Sequence, residues 1–519
     1  MFNKYCYNLG CVFEEIVEKF PNNFAIAFSK DKYFTYIQLN KLANKISRYL
    51  VSKNVTQGDV VCISGNKIIE TYASMLACIK IGAAYCILDP ESPFERLKKI
   101  INRSQPKIIL VDDELKSKIK SNFLESKPKF LLLNSNRFNK AISTLCEKNL
   151  EETKKITSTS PAYIMFTSGS TGFPKGAVIS HQNVLNLIQW SKTNYQTSHE
   201  DVFTNVYPLY FDNSVFDFYS SLFIGACLVP FTKEEMKNPV LIIRKTDELK
   251  CTSWFSVPSL LIYLNFMKTL HKGNMLYIKR FVFGGEGYPI NKLKALYDIY
   301  GDRSELFNVY GPTECTCICS SYKISKVDLL NNTGFPPLGK IAKNFSYKIL
   351  DENSKPVKKE EIGELCLLGP NVSIGYFNDP ERTKNSFVQN VENFYTKELM
   401  YKTGDLVKLD EHDQNLYFCG RKDNQIKHMG YRIELEEVET AINILDYVKE
   451  VVVFHGEKRG FSEIVAVITL SSSKYTKNID DDIRQLIPSY MMPTRFVFKD
   501  GELPKNSSGK IDRVFCKTF

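Results

Sequence analysis

Short apolar runs alternating with stretches of helical period constrain this chain more than any other feature of its sequence. Thr35 and Gln38 have capping-box spacing, and Leu39, Leu42, Ala43, Ile46, Tyr49 and Leu50 then recur at the helical period, which predicts a helix. The apolar run Val60–Ser64 follows, then a helix-like stretch near Tyr72–Ile81, then Ala83–Leu88, closed by Asp89-Pro90. Lys107–Val111 and Phe130–Leu133 are two more strand candidates behind charged helical spacers. Alternation of this sort reads as βαβ units and a parallel sheet.

The polar stretch Glu147–Ser160 reads as a loop that delivers the chain to a strand at Tyr163–Phe166. A second α/β run continues through Val202–Val206, Trp254–Val257 and Phe281–Phe283. Beyond Gly301 the strands become more varied, with turns at Asp351–Ser354 and Glu411–Asn415, and suggest a smaller β-rich lobe. Near the end, Leu435–Asn443 and Asp480–Leu486 are helix-like and Val451–Phe454 and Ile464–Leu470 strand-like, enough for a compact α+β domain. The charged turn Gly420-Arg421-Lys422-Asp423 is the natural boundary. The expected fold class is therefore α/β. A large N-terminal domain (1–422) of parallel-sheet subdomains plus a β-rich lobe precedes a small C-terminal α+β domain (423–519).

Composition removes several function classes. With 519 residues, 43% hydrophobic, spread without a low-complexity tract, the chain is not mainly disordered. No apolar run approaches the ~18–20 residues that cross a bilayer, and Glu14 and Glu15 interrupt the N-terminus before a signal-peptide core could form. A cytoplasmic protein without a membrane partner is expected. The 14 cysteines include no CxxC pair and sit mostly in apolar stretches such as those of Cys62, Cys78, Cys86 and Cys227. Cys315, Cys317 and Cys319, at period two, would share one face of a strand as reduced core or pocket residues rather than as a metal site. The surplus of 68 basic over 58 acidic groups is diffuse, without the clustered stripe of a nucleic-acid binder, and instead favours acidic partners such as nucleotides.

The sharpest local signal is Thr167-Ser168-Gly169-Ser170-Thr171-Gly172-Phe173-Pro174-Lys175-Gly176, placed after a strand. Four hydroxyls, three glycines and one lysine in ten residues are what a polyphosphate needs: closely approaching N–H groups, hydroxyl donors and a cation. It is not a Walker A loop, because no G-K-[S/T] closes it.

This loop resembles the signature of the AMP-forming, adenylate-forming ligases, a superfamily that includes acyl-CoA synthetases, luciferases and the adenylation domains of nonribosomal peptide synthetases. Further blocks stand in the family's order: IGAAYCILDPESPFERL (81–97), FDNS (211–214), NVYGPTE (308–314), GELCLLGPNVSIGYFNDP (363–380), YKTGD (401–405), GRKDNQIKHMGYRIELEEVE (420–439), IPSYMMP (487–493) and LPKNSSGK (503–510). Within the family the chain looks like a stand-alone amino-acid adenylation domain, similar to D-alanine and proline:carrier-protein ligases.

The resemblance implies ATP and Mg²⁺ as cofactors. Thr167, Ser168, Gly169, Ser170, Thr171, Gly172 and Lys175 would cradle phosphates, Asn308 and Tyr310 would flank adenine, and Asp405 and Arg421 would engage the ribose. Thr313 would contact phosphate, Glu314 would help hold the metal, and Lys510 would reach the substrate carboxylate and the α-phosphate. A substrate carboxylate is already ionised at neutral pH, so its attack on the α-phosphorus needs no general base, and all six histidines can be left without a catalytic role. Positioning and cationic stabilisation would carry the step.

By the same similarity Asp212 would pair with the α-ammonium of an amino acid, in preference to capping the helix that begins near Ser214. Asn213, Phe216, Phe255, Val282, Gly284, Val309, Cys317 and Ile318 would line the side-chain pocket. None is charged and two are phenylalanines, which favours a small or medium apolar substrate, alanine or proline ahead of valine. The small domain would swing about Asp423, exchanging Lys510 for a face carrying Gly430 that admits a phosphopantetheine thiol. His428-Met429 departs from the family, where a hydrophobic residue and an arginine are usual. Because nine residues follow Lys510, the thiol acceptor is expected in trans, on a separate carrier protein. Two rival readings are an acyl- or aryl-CoA ligase of the same fold and a catalytically silent adenylate-binding protein.

Overall fold

A computed structural model describes residues 7–119, 124–125, 127–169, 172–330, 333–343, 345–393, 395–458, 461–471, 479–505 and 511–519. Ser170, Thr171 and Lys510 lie outside the described residues. Two large, mostly parallel sheets dominate. In the first, the strands Val60–Ser64 and Ala84–Leu88 are buried along their whole length, as parallel strands covered on both faces must be. The helix Tyr36–Ser52 begins at the expected capping box, and the helix Ile69–Ile81, buried nearly throughout, connects those two strands. This seven-stranded sheet runs in the order Gly375–Tyr376, Lys175–Ser180, Pro161–Thr167, Ala84–Leu88, Val60–Ser64, Ile108–Val111, Lys129–Leu132.

The second sheet has nine strands. Its centre is six parallel strands, Glu305–Tyr310, Arg280–Gly284, Ser253–Ser256, Val202–Asn205, Cys227–Pro230 and Phe24–Ala27, with antiparallel strands at both edges. The helix Asn213–Leu222 is buried at every residue and belongs with both sheets to one large core.

A five-stranded antiparallel sheet, from Ser346–Leu350 to Leu416–Arg421, forms the β-rich lobe. The lobe begins later than the change after Gly301 suggests, because Glu305–Tyr310 pairs in parallel with Arg280–Gly284 and so extends the nine-stranded sheet. The polar stretch Glu147–Ser160 is not all loop either. Glu151–Lys155 forms a 3₁₀ turn whose buried Thr153 donates from Oγ1 to the Lys80 carbonyl over 3.0 Å. The cysteine alternation does not mark a strand: Cys315 ends a 3₁₀ turn, and Thr316 and Cys317 follow with φ of 62° and 73°. All three thiols are free and buried.

After Arg421 comes the hairpin Gln425–His428/Tyr431–Glu434, and then a three-stranded sheet of Val448–Lys458, Phe461–Leu470 and Arg495–Lys499. The helix Leu435–Asn443 packs on it through Val438 and Ile442, with Ile464, Ala466 and Ile483 in the same core. None of the described helices is long and apolar enough to cross a membrane.

Candidate functional site

The phosphate-type loop leaves the strand Pro161–Thr167 and returns as Lys175–Ser180, antiparallel to it. A Cβ on Gly169 would lie 2.1 Å from the Phe173 carbonyl oxygen, so only glycine lets the loop double back there. The Thr167 hydroxyl is buried without a partner among the described residues. Lys175 turns inward, its Nζ 3.3 Å from Glu314 Oε1 and 5.3 Å from the centre of the Tyr376 ring.

Glu314 sits on the turn that ends the strand Glu305–Tyr310. A Cβ on Gly311 would be 2.3 Å from the Cys317 carbonyl oxygen, and this close return places Thr313 and Glu314 at the strand's end. Glu314 is fully buried. Its Oε2 accepts from Arg432 Nη1 over 2.7 Å and its Oε1 accepts from the Tyr376 hydroxyl over 2.7 Å. Burial alone would raise this carboxyl, but the Arg432 guanidinium, followed by Lys175 and the Tyr376 hydroxyl, holds it well below the usual carboxylate range. Burial and the Arg432 charge in turn lower Lys175.

The residues expected around the nucleoside also converge. The Tyr310 hydroxyl donates to Asp405 Oδ2 over 2.5 Å, and Arg421 Nη1 donates to Asp405 Oδ1 over 2.6 Å. The same guanidinium forks onto both oxygens of Asp423 at 2.6 Å each. Asp212, Asn213, Tyr310, Thr313, Asp405 and Arg421 line one small cavity of about 50 Å³. Asn308 does not line it: its side-chain amide donates to the Pro337 carbonyl over 2.7 Å.

Asp212 precedes the helix Asn213–Leu222, yet its side chain makes no cap to that helix. Its Oδ2 instead accepts from Thr313 Oγ1 over 2.5 Å, and burial raises its carboxyl. Behind it, Phe216 and Phe255 meet edge to face at 5.0 Å between ring centres. Val282, Val309, Cys317 and Ile318 belong to the same buried core, and Phe203 and Tyr195 also pack on Phe216. A Cβ on Gly284 would meet the Val309 carbonyl oxygen at 2.3 Å. Phe216 thus packs among Phe203, Phe255 and Tyr195, and of the expected pocket positions Asn213 alone lines the cavity beside Asp212.

Sequence reasoning named Gly430 in the Gln425–Glu434 hairpin but missed Lys427 and Arg432. Lys427 and Arg432 stand directly opposite each other in it, and both line the cavity. Two cations in cross-strand register repel unless anions face them; here Glu314, Asp405 and Asp212 do so. Lys427 Nζ lies 5.1 Å above the Tyr310 ring, and burial lowers its pKa. Period-two placement of Gln425 and Lys427 was the available signal. The Gly430 amide donates to Glu286 Oε2 over 2.9 Å, and Glu286 also accepts from the Ser259 amide over 2.6 Å.

The AMP-binding enzyme family matches residues 13–377, and the AMP-binding enzyme C-terminal domain matches residues 437–510. The chain belongs to the AMP-binding enzyme family. Over 97% of its length this AMP-binding enzyme is 32% identical to bacitracin synthase 3 of Bacillus licheniformis, of which it spans only 8%. It is 31% identical to zwittermicin A synthase ZmaJ of Bacillus cereus, covering 97% of this chain and 93% of that one. Among solved structures it matches NpsA-ThdA, an artificially fused adenylation–PCP di-domain from Klebsiella oxytoca. That likeness has a TM-score of 0.82 at 23% identity and covers 95% of this chain and 94% of the other.

Proposed function

We propose that this AMP-binding enzyme activates a small or medium apolar amino acid, alanine or proline ahead of valine, to its aminoacyl-adenylate. It then passes the acyl group to a phosphopantetheine thiol on a carrier, forming a thioester as the acyl–phosphate bond breaks and AMP leaves. The observation that carries the reading is the 2.5 Å contact of Thr313 with Asp212. An ammonium held on Asp212 leaves its own carboxylate beside the turn bearing Thr313 and Glu314, where the triphosphate is expected.

In the first step the substrate carboxylate oxygen forms a bond to the α-phosphorus while the bond to the β-phosphate oxygen breaks, and pyrophosphate leaves. Asp212 orients the nucleophile, and the loop amides with Lys175 hold the phosphates. Lys510 is assigned the cation that meets the carboxylate and α-phosphate, an assignment that rests on the resemblance of the LPKNSSGK block. Glu314, Thr313 and the Thr167 hydroxyl, which has no partner among the described residues, offer the oxygen donors that Mg²⁺ takes, with Glu314 available once Arg432 withdraws. When bound there, Mg²⁺ supplies charge neutralisation on the phosphate oxygens.

For the second step we assign Asp423 as the hinge between residues 1–422 and 423–519. Gly430 then faces the thiol's entry: a Cβ there would lie 2.5 Å from Val257 Cγ1 and 2.6 Å from the Tyr207 hydroxyl, leaving room for glycine alone. Lys427, in the same arrangement, brings a cation over the nucleoside side of the cavity.

ATP–pyrophosphate exchange against a panel of amino, fatty and aryl acids tests this reading. Exchange is expected with small apolar amino acids. Exchange with acids lacking an α-amino group makes the chain a ligase for those acids instead, and ATP binding without exchange makes it a silent adenylate-binding protein.

A further inference from the structure

The tip of the phosphate-type loop is gripped from outside the cavity. Lys99, on the helix Phe94–Ser104, donates from Nζ to the Gly172 carbonyl oxygen over 2.9 Å, and the same Nζ stands 4.7 Å from the centre of the Phe173 ring. Arg382, on the helix Pro380–Ser386, donates from Nη1 to the next carbonyl, that of Phe173, over 3.1 Å. Its guanidinium lies 3.4 Å from Asp379 Oδ2, and Arg103, one helical turn beyond Lys99, meets the same oxygen at 3.4 Å. Neither Lys99 nor Arg382 lines the cavity shared by Asp212, Thr313 and Asp405. Lys99 and Phe173 instead border a groove on the outer face, together with Lys98 and Arg103.

A loop that receives phosphate has to keep its carbonyl oxygens away from the anion and turn its N–H groups toward it. In a trans peptide the carbonyl of one residue and the N–H of the next point in opposite directions, and no peptide among the described residues is cis. Holding the Gly172 carbonyl on Lys99 therefore turns the Phe173 N–H away from the helix Phe94–Ser104. Pro174 follows and has no N–H, so at the second peptide Arg382 has only a carbonyl to hold aside. Gly172 has a φ of 75°, one of several conformations open to a glycine, and an outside contact is what selects among them. We infer that Lys99 and Arg382 are positioning residues for ATP: from behind the loop they fix its two outermost carbonyls and so hold the Phe173 amide as a phosphate donor. The inference rests on the proposed adenylation and adds to it two side chains that stand outside the cavity.

The test is made on the full chain. In ATP–pyrophosphate exchange at saturating amino acid, Lys99→Met and Arg382→Met should each raise the KM for ATP about tenfold, while kcat and the KM for the amino acid move less than about twofold. The double variant should lose less than the product of the two, because both bonds hold one loop tip. Lys99→Arg, which still carries a donor to Gly172, should recover most of the loss. At about 0.5 M salt, where a charge acting through solvent is screened within a few ångström, the ratio between Lys99→Met and the unsubstituted chain should persist. Equilibrium dialysis of magnesium ATP without any acid should show the same weakening independently of the reaction. A KM for ATP unchanged in both single variants overturns the inference. So does a fall in kcat shared with both KM values, which is what loss of fold gives, and so does an effect that high salt abolishes, which would make Lys99 a diffuse attractant. If exchange proceeds with an unchanged KM for ATP, this inference alone fails; if no acid supports exchange while dialysis still separates the variants, the proposed adenylation alone fails.

Discussion

Thr313 donates a 2.5 Å hydrogen bond to Asp212, which joins the carboxylate that begins the helix Asn213–Leu222 to the turn that carries Glu314. The bond fixes the anion proposed to meet the substrate's amino group at a set distance from the turn proposed to meet phosphate. An ion pair near 4 Å at an effective dielectric of about 20 is worth ~4 kcal/mol before desolvation is subtracted. Asp212→Ala should therefore lower kcat/KM for the amino acid about 100-fold or more in ATP–pyrophosphate exchange. Asp212→Asn keeps a partner for Thr313 but not the charge, and should lose nearly as much. Unchanged exchange in both would remove Asp212 from substrate recognition.

On the proposed reading, the edge-to-face pair of Phe216 and Phe255 sets the depth of the side-chain pocket. Phe216→Ala deletes a fully packed ring, which costs on the order of 3–5 kcal/mol and leaves a cavity behind Asp212. A lowered Tm is expected together with a changed exchange profile, in which leucine or phenylalanine gains relative to alanine. A variant that loses stability while the ranking of substrates stays fixed would show that Phe216 belongs to the core but not to the pocket.

Much of the fold was legible because local signals agree with the tertiary setting. The strand Val60–Ser64 and the helix Leu435–Asn443 have the expected limits, and the Thr35/Gln38 box starts a helix, since apolar period and capping chemistry act over a few residues. The cysteine alternation misled because Thr316, a β-branched residue, takes a left-handed conformation that only the return of the chain onto Gly311 imposes. Arg432 was unreadable as a cavity residue for a different reason. Its partner Glu314 lies 118 positions away, so no window contains the pair. The roles around ATP came from family resemblance, which periodicity and spacing cannot supply.

Gly430 has a φ of 81° and no room for a side chain against Val257 and Tyr207. Gly430→Ala adds left-handed strain of about 1–2 kcal/mol to that contact. It should slow thiol loading at least tenfold and spare ATP–pyrophosphate exchange, because only the second step is assigned to this arrangement. Asp423→Pro should give the same split by fixing φ at the assigned hinge and disturbing the residue onto which Arg421 forks. Equal loss of exchange and loading in both variants would contradict a two-position cycle. A carrier supplied in trans and read by mass spectrometry measures the loading.

His181 gives a pH dependence that is separate from catalysis. The residue is fully buried at the start of the helix His181–Asn194, its Nδ1 accepts from the Leu9 amide over 3.0 Å, and burial pulls its pKa down to about 4. The folded ring is thus neutral down to about pH 4, whereas an unfolded histidine takes its proton near pH 6.5. Stability from this residue is complete above about pH 6.5 and declines as pH falls toward 4, because the unfolded state binds the proton first. At pH 5 the loss should reach about 2 kcal/mol. His428, also lowered to about 4 by burial and by His455, contributes in the same direction and stays in place when His181 is changed. Urea unfolding at pH 7.5 and pH 5 should therefore show a smaller drop in His181→Asn, whose amide oxygen can accept from Leu9, than in the unsubstituted chain. An identical drop in the two proteins would mean that His181 is protonated in the folded state.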